Sequence, residues 1–476
     1  MSSPPSRPLI IYGPLITPLS KRDALFSDCS LVAVSAQGLI EWVEHSVEPE
    51  QLQDLLAKHG RSTEDQDTQF VELKWGEWIM PGFVDTHTHA PQFQNNGAGA
   101  QYELLDWLTH VTFPEEEKYA DVEYAKKMYR RVVRASLDLG TTMCCWYGTL
   151  HLEGTKVLAD IAHELGQRAY IGKCNMNRES APTYQEASAE DSLRDTLSFI
   201  SHVEALSPSP SGALVQPILT PRFAISCTSD LLQGLGEIAK QHPHLPIQTH
   251  ISENSSEIAY TKGLFPHCST YAEVYDYYGL LRENTILAHG VHLEQSELDL
   301  IKSRGAGLSH CPTSNFNLRS GSAHVGEWLD NGNKCGLGTD CSGGWTASMI
   351  TAMQLASVCS KVVSYYTKGD DASITGRFSK TQFAKYQLPI PTLLWLATMG
   401  GAEVCCLQDT IGSLEPGKQF DAIRVSVLPE TDNMHIWYDE SDSLESMLER
   451  FMANADERNV MEVWVKGRKV GGKLLK

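Results

Sequence analysis

The sequence predicts an α/β chain built on a (β/α)8 barrel. Three observations predict it. Eight apolar runs of strand length recur through the middle of the chain, amphipathic stretches of helix length separate them, and chemistry-bearing residues stand where several runs stop. Such alternation is the pattern of βα units and a parallel sheet. Barrel enzymes of this type build their sites at the C-terminal ends of the strands.

The runs cover 78–85, 141–146, 169–174, 214–219, 246–250, 285–288, 306–309 and 334–338. Helices are predicted over 121–139, 155–165 and 294–302. Both ends of the chain read as strands and turns instead. Residues 9–12, 31–34 and 39–43 are short apolar runs broken by Pro, Gly, Ser and Asp. Past a turn cluster at 411–418, the runs 422–427 and 460–465 follow, the second leading into the hairpin-like Lys466-Gly467-Arg468. Residues 367–387 lack a clear period and read as a surface loop.

Composition narrows the partners. With 476 residues, 42% of them hydrophobic, the chain can bury a sizeable core. Its 39 Lys+Arg against 59 Asp+Glu give a net charge of −20, which repels nucleic-acid backbones and anionic membranes. No window approaches the roughly 18 apolar residues of a membrane span. The Pro- and Ser-rich start has no signal-peptide pattern. The 12 cysteines are scattered, with two neighbouring pairs and no CxxC, which suits reduced thiols in the cytoplasm.

PGFVDTHTHA (81–90) ends the first run. Strand residues two apart share a face, so His87 and His89 can address one ion. Further strand ends carry His250 and Glu253, His289, the stretch HCPTSN (310–315), and Asp340. His87, His89, His250 and Asp340 make a mixed nitrogen and oxygen site for a borderline divalent ion, with a position left for water. Cys227, Cys311 and Cys341 stand beside these motifs, and a thiol nucleophile is conceivable from residue types alone. A metal site supplies its own nucleophile, however.

The motifs PGFVDTHTHA, THISE, LAHG and LGTD resemble the metal-binding signatures of the amidohydrolase superfamily. The resemblance implies a small β-sandwich assembled from both termini, residues 1–75 and 405–476, beside a catalytic barrel of 76–404. HAPQ (89–92), TPRF (220–223) and CPTSN (311–315) are most similar to the guanine-deaminating branch. That implies hydrolysis of guanine to xanthine and ammonia, one zinc ion per subunit with iron tolerated, and a homodimer. Binuclear members recruit a carboxylated lysine at the fourth strand end; TPRF offers none, so a single ion is expected.

In this scheme Asp340 is both ligand and base. Glu253 carries a proton from water to N3 of the base, and His289 hydrogen-bonds the attacking oxygen. Arg222 reads O6 and N7, Gln92 completes the edge contacts, and Phe223 packs on the ring. Two alternatives stay open. One is a mononuclear relative acting on cytosine, a triazine or a modified nucleoside, and the other is a non-catalytic scaffold on the same fold.

Overall fold

The structure, a computed structural model, describes residues 7–63, 65, 67–207, 212–366 and 382–475. Eight barrel strands run in parallel through the middle: Phe83–His89, Thr141–Tyr147, Arg168–Gly172, Val215–Pro217, Ile247–Ile251, Thr285–His289, Gly307–His310 and Lys334–Leu337. The first four pair in order as one sheet and the last four as a second. Most are buried along their whole length, as strands covered on both faces must be, which is why they read as unbroken apolar runs.

Two seams join the sheets. At one, Leu219 N donates to Pro246 O at 2.9 Å and Gln248 N to Leu219 O at 2.8 Å, tying the fourth strand's extension to the fifth. At the other, Asp340 N donates to His87 O at 2.9 Å and His89 N to Cys341 O at 3.0 Å. This second closure is made by the backbone of the very residues expected to carry chemistry.

The helices between strands begin and stop for local reasons. Val122–Asp138 is capped by Asp121, whose carboxylate accepts from Glu123 N and Tyr124 N. Gln295–Arg304 starts with a Glu294/Glu297 capping box and ends at Gly305 with φ +73°. Leu152–Leu165 likewise starts within a few residues of its predicted bound.

The two chain ends share one sheet of eight strands. Leu9–Pro18, Ala24–Val34, Ile40–His45, Gln69–Glu72 and Glu77–Pro81 come from the first end, and Ala422–Ser426, Val460–Val465 and Arg468–Gly471 from the last. Glu77–Pro81 and Ala422–Ser426 pair antiparallel and join the two contributions. Leu9, Ile11, Leu15, Val32, Ile79, Phe420 and Trp464 fill an apolar core there.

Residues 78–85, one run in the sequence, are two elements. Glu77–Pro81 belongs to the terminal sheet and Phe83–His89 opens the barrel. The chain crosses at Gly82, where a Cβ would stand 2.2 Å from Thr142 Cγ2, so only glycine lets the backbone pass the second strand. Further helices lie where none was expected: Leu52–Lys58, Leu444–Asn454, and short turns of helix from Leu104–Trp107 through Phe113–Glu116. Of the segment 367–387, residues 367–381 lie outside the described residues. Among the described residues no helix is long and apolar enough to cross a membrane.

Candidate active site

The C-terminal strand ends bring the predicted donors together. His87, His250, His289 and Asp340 each place a ligand atom within 4.8 Å of the others. His89 Nε2 joins them, 3.2 Å from His250 Nε2 and 3.5 Å from Asp340 Oδ1. His87 Nε2 stands 3.2 Å from Asp340 Oδ1. Thus five groups converge where the sequence pointed to four ligands and a neighbour.

Their chemistry fits a cation. The buried Nε2 atoms of His87 and His289 have no hydrogen-bond partner, nor has Nδ1 of His89. Buried polar atoms left unpaired are costly, and a divalent ion beside His87 Nε2 would satisfy that lone pair. Burial lowers the pKa of His87, and those of His89 and His250 fall well below the usual value, so all three present bare nitrogens. His289 differs. Burial pushes it down too, but the charges of Glu253 and Asp340 outweigh burial and raise it. Asp340 is held well below the carboxylate range: burial opposes its charge, while His87, His289 and His89 favour it.

The surroundings fix these groups. His250 Nδ1 donates to Arg222 O at 2.6 Å, which turns Nε2 inward. His289 Nδ1 faces Asn315 Oδ1 at 2.9 Å. Asp85, absent from the predicted set, accepts from Thr339 Oγ1 at 2.5 Å and Thr339 N at 3.0 Å, locking the first strand to the eighth. Ser252, His289 and Asp340 have φ of +48°, +75° and +44°. Left-handed backbone at three strand ends of one sheet is strain of the kind that clusters at functional sites.

Glu253 is buried, not a solvated helix start. Its Oε2 lies 3.4 Å from His289 Nε2 and its Oε1 accepts from Ser320 Oγ at 2.9 Å. Burial pushes its pKa up to about 7. Asn254, the following residue, caps the helix Ser255–Leu264.

Beside the cluster lies a cavity lined by His89, Gln92, Leu104, Trp107, Leu108, Arg222, Phe223, His250, Glu253, Glu257, His289, Leu318 and Asp340. Every residue expected to touch substrate is therefore on its wall. Arg222 also has a protein partner that the sequence did not reveal. Its Nη1 donates to Glu116 Oε2 at 2.7 Å and its Nη2 to Glu116 Oε1 at 3.1 Å. Two of its five N–H groups are spent there, leaving three. The apolar wall of Leu104, Trp107 and Leu108 also went unrecognised, because it comes from an insertion between the first strand and its helix. Burial raises the thiol pKa values of Cys227, to about 12, and of Cys311 and Cys341, which makes them poor nucleophiles.

A parallel barrel with imidazoles and a carboxylate gathered at its mouth defines a metal-dependent hydrolase. Residues 78–470 match the Amidohydrolase family, and the chain belongs to it. It is 45% identical to a probable guanine deaminase of Schizosaccharomyces pombe, over 91% of this chain and 78% of that protein. It is 37% identical to the guanine deaminase of Mus musculus, over 92% of this chain and 91% of that one. A crystal structure of guanine deaminase from C. acetobutylicum with bound guanine in the active site is similar with a TM-score of 0.84 at 32% identity, covering 97% of this chain and 99% of that chain.

Proposed function

We infer that this chain hydrolyses guanine to xanthine and ammonia. The observation that carries the reading is the juxtaposition of His87, His89, His250 and Asp340 with a proton-carrying Glu253, beside a cavity whose wall also holds Arg222. The relatives named guanine deaminase support the same substrate.

His87, His89, His250 and Asp340 would hold one zinc ion per subunit, with iron compatible with the same donors. When bound, the ion brings the pKa of a coordinated water toward about 7. Asp340 takes a proton from the attacking water. Glu253, with a pKa of about 7, both accepts and gives up a proton at neutral pH, so it delivers one to N3 and later assists the departing ammonia. His289, whose protonated form is favoured by Glu253 and Asp340 against burial, stabilises charge on the attacking oxygen. Arg222 and Gln92 hold the O6 edge, and Phe223 packs on the purine.

The subunits pair as homodimers in the cytoplasm, a placement supported by twelve free cysteines. The barrel, which opens at Phe83, is the catalytic unit, and the terminal sheet, with Glu77–Pro81 moved into it from the expected 76–404, braces it as one composite domain. An ammonia-release assay with guanine, adenine and cytosine, paired with metal quantification, tests the reading. Turnover of guanine with about one zinc per chain is expected. Turnover of another base but not guanine assigns the chain to the other mononuclear relatives, and a metal-free inert protein to the scaffold role.

A further inference from the structure

Glu116 is fully buried on Phe113–Glu116, outside the barrel strands. Its Oε1 accepts from Gln92 Nε2 at 2.8 Å and from Arg222 Nη2 at 3.1 Å. Its Oε2 accepts from Arg222 Nη1 and from Tyr184 OH, both at 2.7 Å. Four hydrogen bonds fill the four acceptor sites of a carboxylate. Glu116 has nothing left to offer a ligand, and it is not among the residues lining the cavity.

Its neighbours are constrained as a result. An ionised carboxylate only accepts, so Gln92 must turn its NH2 group toward Glu116 and its Oε1 away, where Oε1 accepts from Ser342 N at 3.4 Å and keeps its second lone pair. Arg222 is pinned with its remaining N–H groups free for other use. Gln92 and Arg222 both line the cavity, so together they can present one acceptor and several donors to it. The lactam edge of guanine carries the complement, a donor at N1–H and an acceptor at O6. The equivalent edge of adenine is reversed, with an acceptor at N1 and a donor amino group.

We propose that Glu116 is a positioning residue that sets purine specificity, by fixing the amide of Gln92 and the guanidinium of Arg222 to match a lactam edge. The proposal rests on the guanine reading above. Its neighbours in sequence do other work. Glu115 accepts from Tyr124 OH at 2.5 Å and pairs with Lys118 at 2.6 Å, and Glu117 is half-exposed.

The isosteric Glu116→Gln removes the charge and gives Gln92 a donor to face, which frees its amide to flip. Tyr184→Phe removes one hydrogen bond from Glu116 without altering a cavity-lining side chain. Both variants are compared with the unmodified enzyme for guanine kcat and KM, for zinc content, and for inhibition by hypoxanthine, which has the lactam edge, and by adenine, which has the reversed one. Glu116→Gln is expected to raise guanine KM and the hypoxanthine inhibition constant about tenfold or more. Its adenine constant stays level or falls, kcat changes less, and zinc is retained. Tyr184→Phe shifts the same constants in the same sense by a few fold.

Equal losses of hypoxanthine and adenine binding, or a fall in kcat at unchanged KM, overturn the proposal. If Glu116→Gln does not fold, Tyr184→Phe decides alone, and unchanged constants there overturn it. Absence of guanine turnover in the unmodified enzyme defeats the functional reading itself and this proposal with it.

Discussion

Glu253 and His289 are a pair of buried groups placed to divide the work of proton transfer in the proposed reaction. Their closest atoms are 3.4 Å apart, and each alters the other's ionisation. Burial raises Glu253 and lowers His289, and the charge of His289 works against the rise of Glu253, which stands at about 7, within reach of both protonation states. A carboxylate so poised contributes about 10²–10⁴-fold to a proton-transfer step. Glu253→Gln preserves shape and the Ser320 contact, yet cannot exchange a proton. It should therefore keep its zinc and lose kcat by about that factor, read by steady-state ammonia release alongside metal analysis. A near-normal rate would mean the proton moves by another route. The residues of this site were legible because strand ends place polar groups after apolar runs. Glu116 was not, because its bond to Arg222 spans 106 positions and an isolated acidic triplet looks like a solvated turn.

Elements were legible in proportion to how far one physical cause shaped them. The barrel strands stood out because both faces are covered. The helix Leu444–Asn454 did carry a period, since Leu444, Met447, Leu448, Phe451 and Met452 are its buried face. Its polar flanks among strand-like runs hid it. The first strand was blurred with Glu77–Pro81 because both are buried and nothing polar separates them. What orders the first and eighth strands relative to each other is side-chain bonding. Asp85 is fully buried, which pushes its pKa up to about 7, and the hydrogen bonds from Thr339 work against that rise. Thr339→Val deletes the hydroxyl and leaves the carboxylate short of a donor, at a cost of about 1–3 kcal/mol. His87 and Asp340 flank this lock, so zinc affinity should fall by about 10–100-fold as well. Thermal melts with and without added zinc check both effects; an unchanged affinity would limit Asp85 and Thr339 to a structural part.

At the scale of the molecule, the terminal sheet is joined to the barrel on the side away from the active site. Arg168, first residue of the third barrel strand, donates from Nε to Asp421 Oδ2 at 2.8 Å and from Nη2 to Asp421 Oδ1 at 3.0 Å. Its Nη2 also reaches Gln419 Oε1 at 2.7 Å. Asp421 meanwhile accepts from Lys466 N at 2.8 Å on Oδ1 and from Gly82 N at 3.0 Å on its carbonyl. One residue thus holds the barrel, the crossing point at Gly82 and the last hairpin. Both charges are buried, so removing one strands the other, and such losses cost about 3–5 kcal/mol. Asp421→Ala should lower the melting temperature markedly. Because the strand beginnings of a barrel serve stability and the strand ends serve chemistry, guanine kcat/KM measured well below the melt should stay within about twofold of the unmodified enzyme, since such a ratio corresponds to less than 1 kcal/mol. A large loss of kcat/KM at full zinc occupancy would show instead that the terminal sheet sets the geometry of the mouth.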